Sequence, residues 1–358
     1  AKEYNAELCK RGADALGQAL ALTESTNRYE LADFSEYNDI FLLHNSSGKL
    51  NGVKESIFME NIKDYSGRWR WNMVNDFRPQ SIEYSGIKCY PTANYVNYYG
   101  MQNGYPINDM TKADAESGYD PTHPWKNRDP RFYKTIMFDG VKWKSTGGAG
   151  GTAELFTGGR ESEEANEKKG CFTAYMNSKL CPQLMNTVDG YKENNIMILS
   201  LMRLADVYLM YAEATAVGYN GPKSKAATYS LTAEEALNKI RERAGVAPVL
   251  DKFLGSTADF LSELRRERAV ELSFEGFRFI DLRRWMLLTQ YPYTLKTKIE
   301  FDRADPSDYN YDEPEENAIK NLREVVLLER KYTDRHYWYP LPKKDVSMYE
   351  GFYQNPGW

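Results

Sequence analysis

A chain of 358 residues with 46 Lys and Arg against 51 Asp and Glu carries a formal charge of -5 and an isoelectric point near 5.6. Such a length buries a sizeable core, as one large domain or two smaller ones, while the acidic balance argues against nucleic acid as a partner, because phosphate binding needs a basic face. No stretch approaches the roughly 20 apolar residues of a membrane-spanning helix.

Aromatic residues are the compositional outlier. The 27 Tyr, 15 Phe and 7 Trp make 14% of the chain, while mean hydropathy is polar at -0.66. Such a surface suits polar ligands held by stacking and hydrogen bonds, although most tyrosines simply pack at half-buried positions. Cys9, Cys89, Cys171 and Cys181 show no CxxC spacing, and His44, His123 and His336 are scattered. No zinc site, other metal site or cofactor site is therefore expected. A Cys171 to Cys181 disulfide stays open, since connectivity does not follow from spacing.

In chain order, residues 1-60 read as one or two helices. Tyr4, Leu8, Ala15, Ala19 and Leu22 fall near one helical face, which predicts an amphipathic helix at the start of the chain with no signal peptide before it. A turn follows at Asn45 to Gly48, then a short apolar run, Ser56 to Glu60.

Residues 61-198 are irregular and rich in Gly, Asn, Pro and aromatics. Trp69 and Trp71 alternate with Arg68, Arg70 and Asn72, so an extended backbone puts both indoles on one face and the polar groups on the other. Sugar rings present apolar C-H faces that stack on such indoles, while Asn75, Asp76 and Arg78, with Tyr84 beyond, meet hydroxyls. Packing of the two indoles against a scaffold is the competing reading. The glycine cluster at 147-151 lacks the GK[ST] of a phosphate cradle and reads as a flexible loop. Arg128 and Asp129, in the segment Asn127 to Tyr133, read as a turn with a salt bridge.

Residues 199-290 return to helices. Leu201, Leu204, Tyr208, Tyr211 and Thr215 keep helical spacing and Gly218 closes the segment. Thr232 and Glu235 form a capping box, Ala236, Leu237 and Ile240 a buried stripe, and Gly245 a stop. The run Glu263 to Trp285 alternates acids and bases along a helix expected to end at Gly276. Glu267, Glu271 and Glu275 recur at i, i+4, i+8 beside Arg265, Arg268 and Arg278. Cross-turn ion pairs follow, which keep these acids ionised and unsuited to general acid catalysis.

That run resembles the ERxxEL-x-FEG-x-R-x-x-DLRRW segment of the SusD/RagB family. Leu201 to Ala214, Ala236 to Val246, and the closing Tyr339 to Pro342 and Gln354 to Trp358 match the same family in the same order. The resemblance implies a mostly α fold, in which a tetratricopeptide-like scaffold of helical hairpins (the SusD-like α/α superhelix) holds an irregular, loop-rich lobe. It also makes the run at 56-60 a strand and the 127-133 segment structural. The expected organisation is a helical-repeat remainder with a short strand (1-60), an aromatic ligand-binding lobe (61-198) and a C-terminal helical scaffold with a closing tail (199-358).

By resemblance the protein is a non-catalytic surface lipoprotein at the extracellular face of the outer membrane. It would hand an oligosaccharide to a SusC-like, TonB-dependent outer-membrane transporter. The lipid-modified cysteine and roughly the first third of the family's length would lie outside this chain, which leaves Cys9 no lipidation candidate. Peptide cargo, as in the RagB branch, is the nearest alternative. A glycoside hydrolase or a purely structural scaffold stands further off, because no acid sits in an apolar, base-free setting that would raise its pKa.

Overall fold

The computed structural model describes residues 3-44, 52-61, 89-145, 149-165, 167, 169-180, 188-189 and 195-358. Helix α1 (Ala6-Thr26) starts where the Asn5 side chain accepts a hydrogen bond from the Leu8 amide, and stops at Asn27, which takes the left-handed conformation that Asn tolerates. Its buried residues are Ala13, Gly17 and Leu20. Leu8 and Leu22 are 58% and 64% exposed, and Ala15 and Ala19 are exposed as well. The expected apolar face is therefore displaced to a small-residue face. The reason is close approach: a Cβ on Gly17 would stand 2.6 Å from Thr228 Oγ1, and larger side chains along this line would push the helix off its neighbours.

Strand β1 (Leu42-His44) and strand β2 (Ser56-Asn61) follow, which bears out a strand at the run 56-60. In the loop-rich part, α2 (Pro130-Thr135) is capped by Asp129, whose carboxylate accepts from the Arg131 amide, with proline at the first helical turn. Strands β3 (Ile136-Met137) and β4 (Met176-Asn177) form a small antiparallel pair. Strand β5 (Asn195-Arg203) is the centre of a three-stranded antiparallel sheet in the order β1-β5-β2, with Leu42 opposite Met197 and Glu60 opposite Leu199.

Helix α3 (Leu204-Gly218) continues from β5 without a loop. Leu201, which the helical period included, thus lies in the strand. Helix α4 (Ala233-Ala244) has the expected capping box, and Gly245 caps its end in the left-handed conformation with φ 73°. Helix α5 (Thr257-Glu271) is capped by Ser256, whose hydroxyl accepts from the Asp259 amide. It stops at Glu271 and not at Gly276. A turn with Phe274 at φ 61° and Gly276 at φ 87° intervenes, and Gly276 instead caps the start of α6 (Phe277-Arg284). The chain then forms a long hairpin of β6 (Leu295-Arg303) and β7 (Ile319-Glu329).

Two large cores result. One gathers Leu20 of α1, Leu209 and Tyr211 of α3, Leu237 and Ile240 of α4, and Phe260 and Leu264 of α5. The other belongs to the loop-rich lobe, where the Trp125 ring stacks on Phe138 at 5.0 Å and meets the edge of Phe301 at 5.3 Å. Ile299, Phe301 and Ile319 of the β6-β7 hairpin sit in this second core, although they fall in the stretch expected to be helical scaffold and tail. Among the described residues, no helix is long and apolar enough to cross a membrane.

Candidate functional site

The charge-dense segment folds into a buried web of ion pairs. Glu263 is held by Arg241 and Arg266, and Glu267 by Arg131 at 2.5 Å and Arg241 at 2.9 Å. Glu271 meets Arg131 at 3.0 Å, Arg203 at 2.7 Å and Arg243 at 2.5 Å. Glu275 takes Lys179 and Arg203, both at 2.7 Å. Glu55, at the start of β2, closes the web through Arg203 and Arg243. A second knot joins Arg268 to Asp206 and Asp281, while Glu213 accepts from both Arg284 and the Trp285 indole.

These acids are paired as the sequence implied, but with different partners. Only Glu263 and Arg266 pair within α5; Arg131, Arg203, Arg241 and Arg243 arrive from α2, β5 and α4. Arg268 turns to aspartates on α3 and α6, and Arg265 and Arg278 form no ion pair among the described residues. Burial works against ionisation of Glu263, yet Arg266 and Arg241 outweigh it and hold its pKa at about 2. Burial opposes ionisation of Glu271 too, and Arg243, Arg203, Arg131 and Lys179 hold it well below the usual carboxylate range. Glu263 and Glu271, so held, carry no proton near neutral pH and act as counter-ions to the buried arginines.

Trp69, Trp71, Asn75, Asp76, Arg78 and Tyr84, the ligand-binding residues expected from sequence, lie outside the described residues, as does Cys181. Cys171 stands as a buried thiol that donates to the Tyr175 carbonyl at 3.2 Å. Among the described residues, no group of three or more His, Cys, Asp and Glu is arranged to hold a metal ion. In the 127-133 segment, Asp129 pairs with Arg131 at 2.7 Å and not with Arg128. Arg128 instead donates to the carbonyls of Tyr99, Pro124 and Val96. This is a buried clamp that ties together the backbone at Val96, Tyr99 and Pro124.

The described residues also border surface concavities. One, of about 610 Å³, lies beside the C-terminal tail and is lined by Ile280, Met286, Tyr337, Trp338 and the arginines 283 and 284. Here the two closing motifs zip together: Leu341 and Gln354 exchange hydrogen bonds of 2.7 and 2.9 Å, and Asn355 donates to the Tyr339 carbonyl. Trp338 and Trp358 are 55% and 43% exposed, whereas Trp125, Trp143 and Trp285 are buried.

A second cleft, of about 510 Å³, is bordered by Gln102, Asn103, Ser117 and Asn127 and by Gly245 at the end of α4. Its walls offer amides and hydroxyls without an aromatic platform. The third, of about 330 Å³, lies between α5, α6 and the 98-108 segment and combines Tyr98, Phe253 and Tyr293 with Lys252, Arg265 and Arg278. Sequence reasoning treated Arg265 and Arg278 only as partners of the neighbouring glutamates. Their spacing matched such pairing, but the break in the helix at 272-276 takes Arg278 out of the register that the period assumed.

The model of the SusD family matches residues 54-358. A comparison with curated proteins finds no match. The fold is shared with solved structures. A SusD-like protein from Bacteroides fragilis aligns at TM-score 0.70 and 22% identity over 98% of this chain and 62% of its own. A SusD-like carbohydrate binding protein from the same species aligns at 0.64 and 19% identity over 96% and 61%. A SusD superfamily protein from Parabacteroides distasonis aligns at 0.54 and 18% identity over 98% and 58%. The chain thus spans less than two thirds of the length of these relatives.

Proposed function

We propose, from the premise that this chain belongs to the SusD family, that it is a non-catalytic binding protein of the cell surface. It captures oligosaccharides and delivers them to a SusC-like, TonB-dependent transporter of the outer membrane, where a lipid on a cysteine outside this chain holds it. The observation that carries this reading is the family match across residues 54-358, joined by a shared fold with a protein described as carbohydrate binding. The paired state of the buried acids supports binding without bond cleavage, because hydrolysis of a glycoside needs a carboxyl that keeps its proton.

Trp69 and Trp71 would form the stacking platform, with Asn75, Asp76, Arg78 and Tyr84 on the hydroxyls. Affinity then rests on stacking and neutral hydrogen bonds and changes little with salt. Calorimetric titration of the chain with neutral oligosaccharides, beside the variants Trp69→Ala and Trp71→Ala, tests the reading. Each variant is expected to weaken binding by about tenfold or more, the loss of one stacking contact of about 1.4 kcal/mol. Sugar binding that survives both changes removes the assignment of the site. Capture of peptides without any saccharide overturns the choice of cargo, and release of reducing ends from a polysaccharide overturns the non-enzymatic reading.

A further inference from the structure

The cleft between α5, α6 and the 98-108 segment holds positive charge that the ion web leaves without a counter-ion. Glu263 borders it, but that carboxylate already serves Arg241 and Arg266. Arg265 makes no ion pair among the described residues, and its Nε-H is buried without a hydrogen-bond partner. Arg278 lies over the faces of Tyr98 and Tyr293, 4.7 and 5.5 Å from the ring centres, and donates a long bond of 3.4 Å to the Arg265 carbonyl. Lys252, at the rim, reaches an acid only at 3.7 Å, the exposed Glu116.

Lys296 on β6 adds to this concentration. It too has no acid partner among the described residues. Burial, then the charges of Arg330 and Arg278, depress its pKa to about 8. Such crowding of like charge raises the energy of the free protein, and an entering anion relieves it. By contrast, Arg131, Arg203, Arg241, Arg243 and Arg268 each pair with two or more carboxylates, although Arg241 Nη1 and Arg243 Nε, like Arg265 Nε, are buried without a hydrogen-bond partner. Arg265 and Arg278 lack such carboxylate partners among the described residues, in a chain whose net charge is -5.

We propose that this cleft binds the oxyanion of an acidic sugar residue, a uronate carboxylate or a sulfate ester, through Arg265 and Arg278, with Tyr98, Phe253 and Tyr293 against the ring. The planar guanidinium matches either oxyanion through paired N-H donors. A volume of about 330 Å³ lies near the lower end of ligand sites, roughly 300 to 1,000 Å³, and admits one sugar residue and not a chain. The saccharide part of this inference rests on the function proposed above; the anion site does not, and it uses none of the residues named there.

Calorimetric titrations with trigalacturonate, a sulfated disaccharide, neutral galactotriose and inorganic sulfate test it. At least one acidic saccharide is expected to bind, and its affinity to fall by about tenfold or more in Arg265→Gln and in Arg278→Gln, the worth of one charge-assisted contact. Affinity is also expected to fall between about 50 and about 300 mM NaCl. Which acidic saccharide binds decides between carboxylate and sulfate.

Lys296→Met guards against a merely structural effect. It is expected to raise the melting temperature, because a desolvated charge is removed, and yet to weaken acidic-sugar binding. Equal binding of acidic and neutral saccharides overturns the proposal, as does acidic binding indifferent to Arg265→Gln and Lys296→Met in variants that melt normally. Inorganic sulfate binding that Arg265→Gln abolishes, with no saccharide bound anywhere, keeps the anion site and overturns the glycan reading of the protein.

Discussion

Glu271 shows why so many charges lie inside this molecule. Its carboxylate is fully buried and receives three arginines, while its backbone carbonyl accepts from Lys179 and Arg203. Replacement by Ala leaves those cations buried without a counter-charge. The expected cost is about 3 to 5 kcal/mol, measured as a shift of the urea midpoint. The web also sets an acid limit. Glu263 and Glu271 have folded pKa values below the ordinary 4.5, so the unfolded chain binds protons first as the pH falls. Their contribution is complete above about pH 4.5 and is lost toward about pH 2. Unfolding midpoints measured from pH 6 to pH 3 are expected to fall, and Glu271→Gln to flatten that slope while lowering stability throughout. The sequence showed that each acid had a base within reach, because charge alternation on a helix is a local pattern. It did not show which base, since Arg131 and Glu271 are 140 positions apart and meet only when α2 docks on α5.

At the level of elements, termini were more legible than faces. The Thr232 and Glu235 box and the Gly245 stop were readable because a cap is built from residues within one turn of each other. Thr232→Ala removes a hydroxyl that accepts from the Glu235 amide, and a loss of about 1 kcal/mol is expected from chemical denaturation. The buried face of α1 was misread because leucines outweigh alanine and glycine in any count of apolar residues, whereas helices that approach closely select small ones. At Gly218 an added Cβ would stand 2.4 Å from the Lys10 amide nitrogen, and the three nearest atoms are all backbone. Gly218→Ala therefore has to push α1 off α3, and a clear drop in melting temperature is expected; an unchanged melt would show that the two helices do not depend on that contact. The junction of β5 and α3 was hidden for another reason. Leu201 and Leu204 fit a helical period, but pairing with β2 holds residues up to Arg203 extended, and the Arg203 guanidinium is pinned by Glu55, Glu271 and Glu275.

For the whole molecule, the ion web sits where the two cores meet. Arg131 and Lys179 enter it from the loop-rich lobe, and Arg241, Arg243 and the glutamates of α5 from the helical scaffold. Separation of the two parts would strand charges on both sides, so they are expected to unfold as one unit. Far-ultraviolet circular dichroism, which follows the helices, and tryptophan fluorescence, to which buried Trp125 and Trp143 of the lobe contribute beside Trp285 of the scaffold, should give coincident urea transitions. Two separate midpoints would mean that the web does not couple the cores. The order of motifs from Leu201 to Trp358 identified the family from sequence alone, and with it the mostly helical scaffold and loop-rich lobe, because such motifs record local caps, turns and ion-pair donors along the chain. Tertiary structure alone decided which arginine meets which glutamate, which face of α1 is buried, that the β6-β7 hairpin completes the aromatic core of the lobe, and that Arg265 and Arg278 face a cleft and form no ion pair among the described residues. Each of these depends on contacts between residues far apart in the chain, and no local period or composition encodes them.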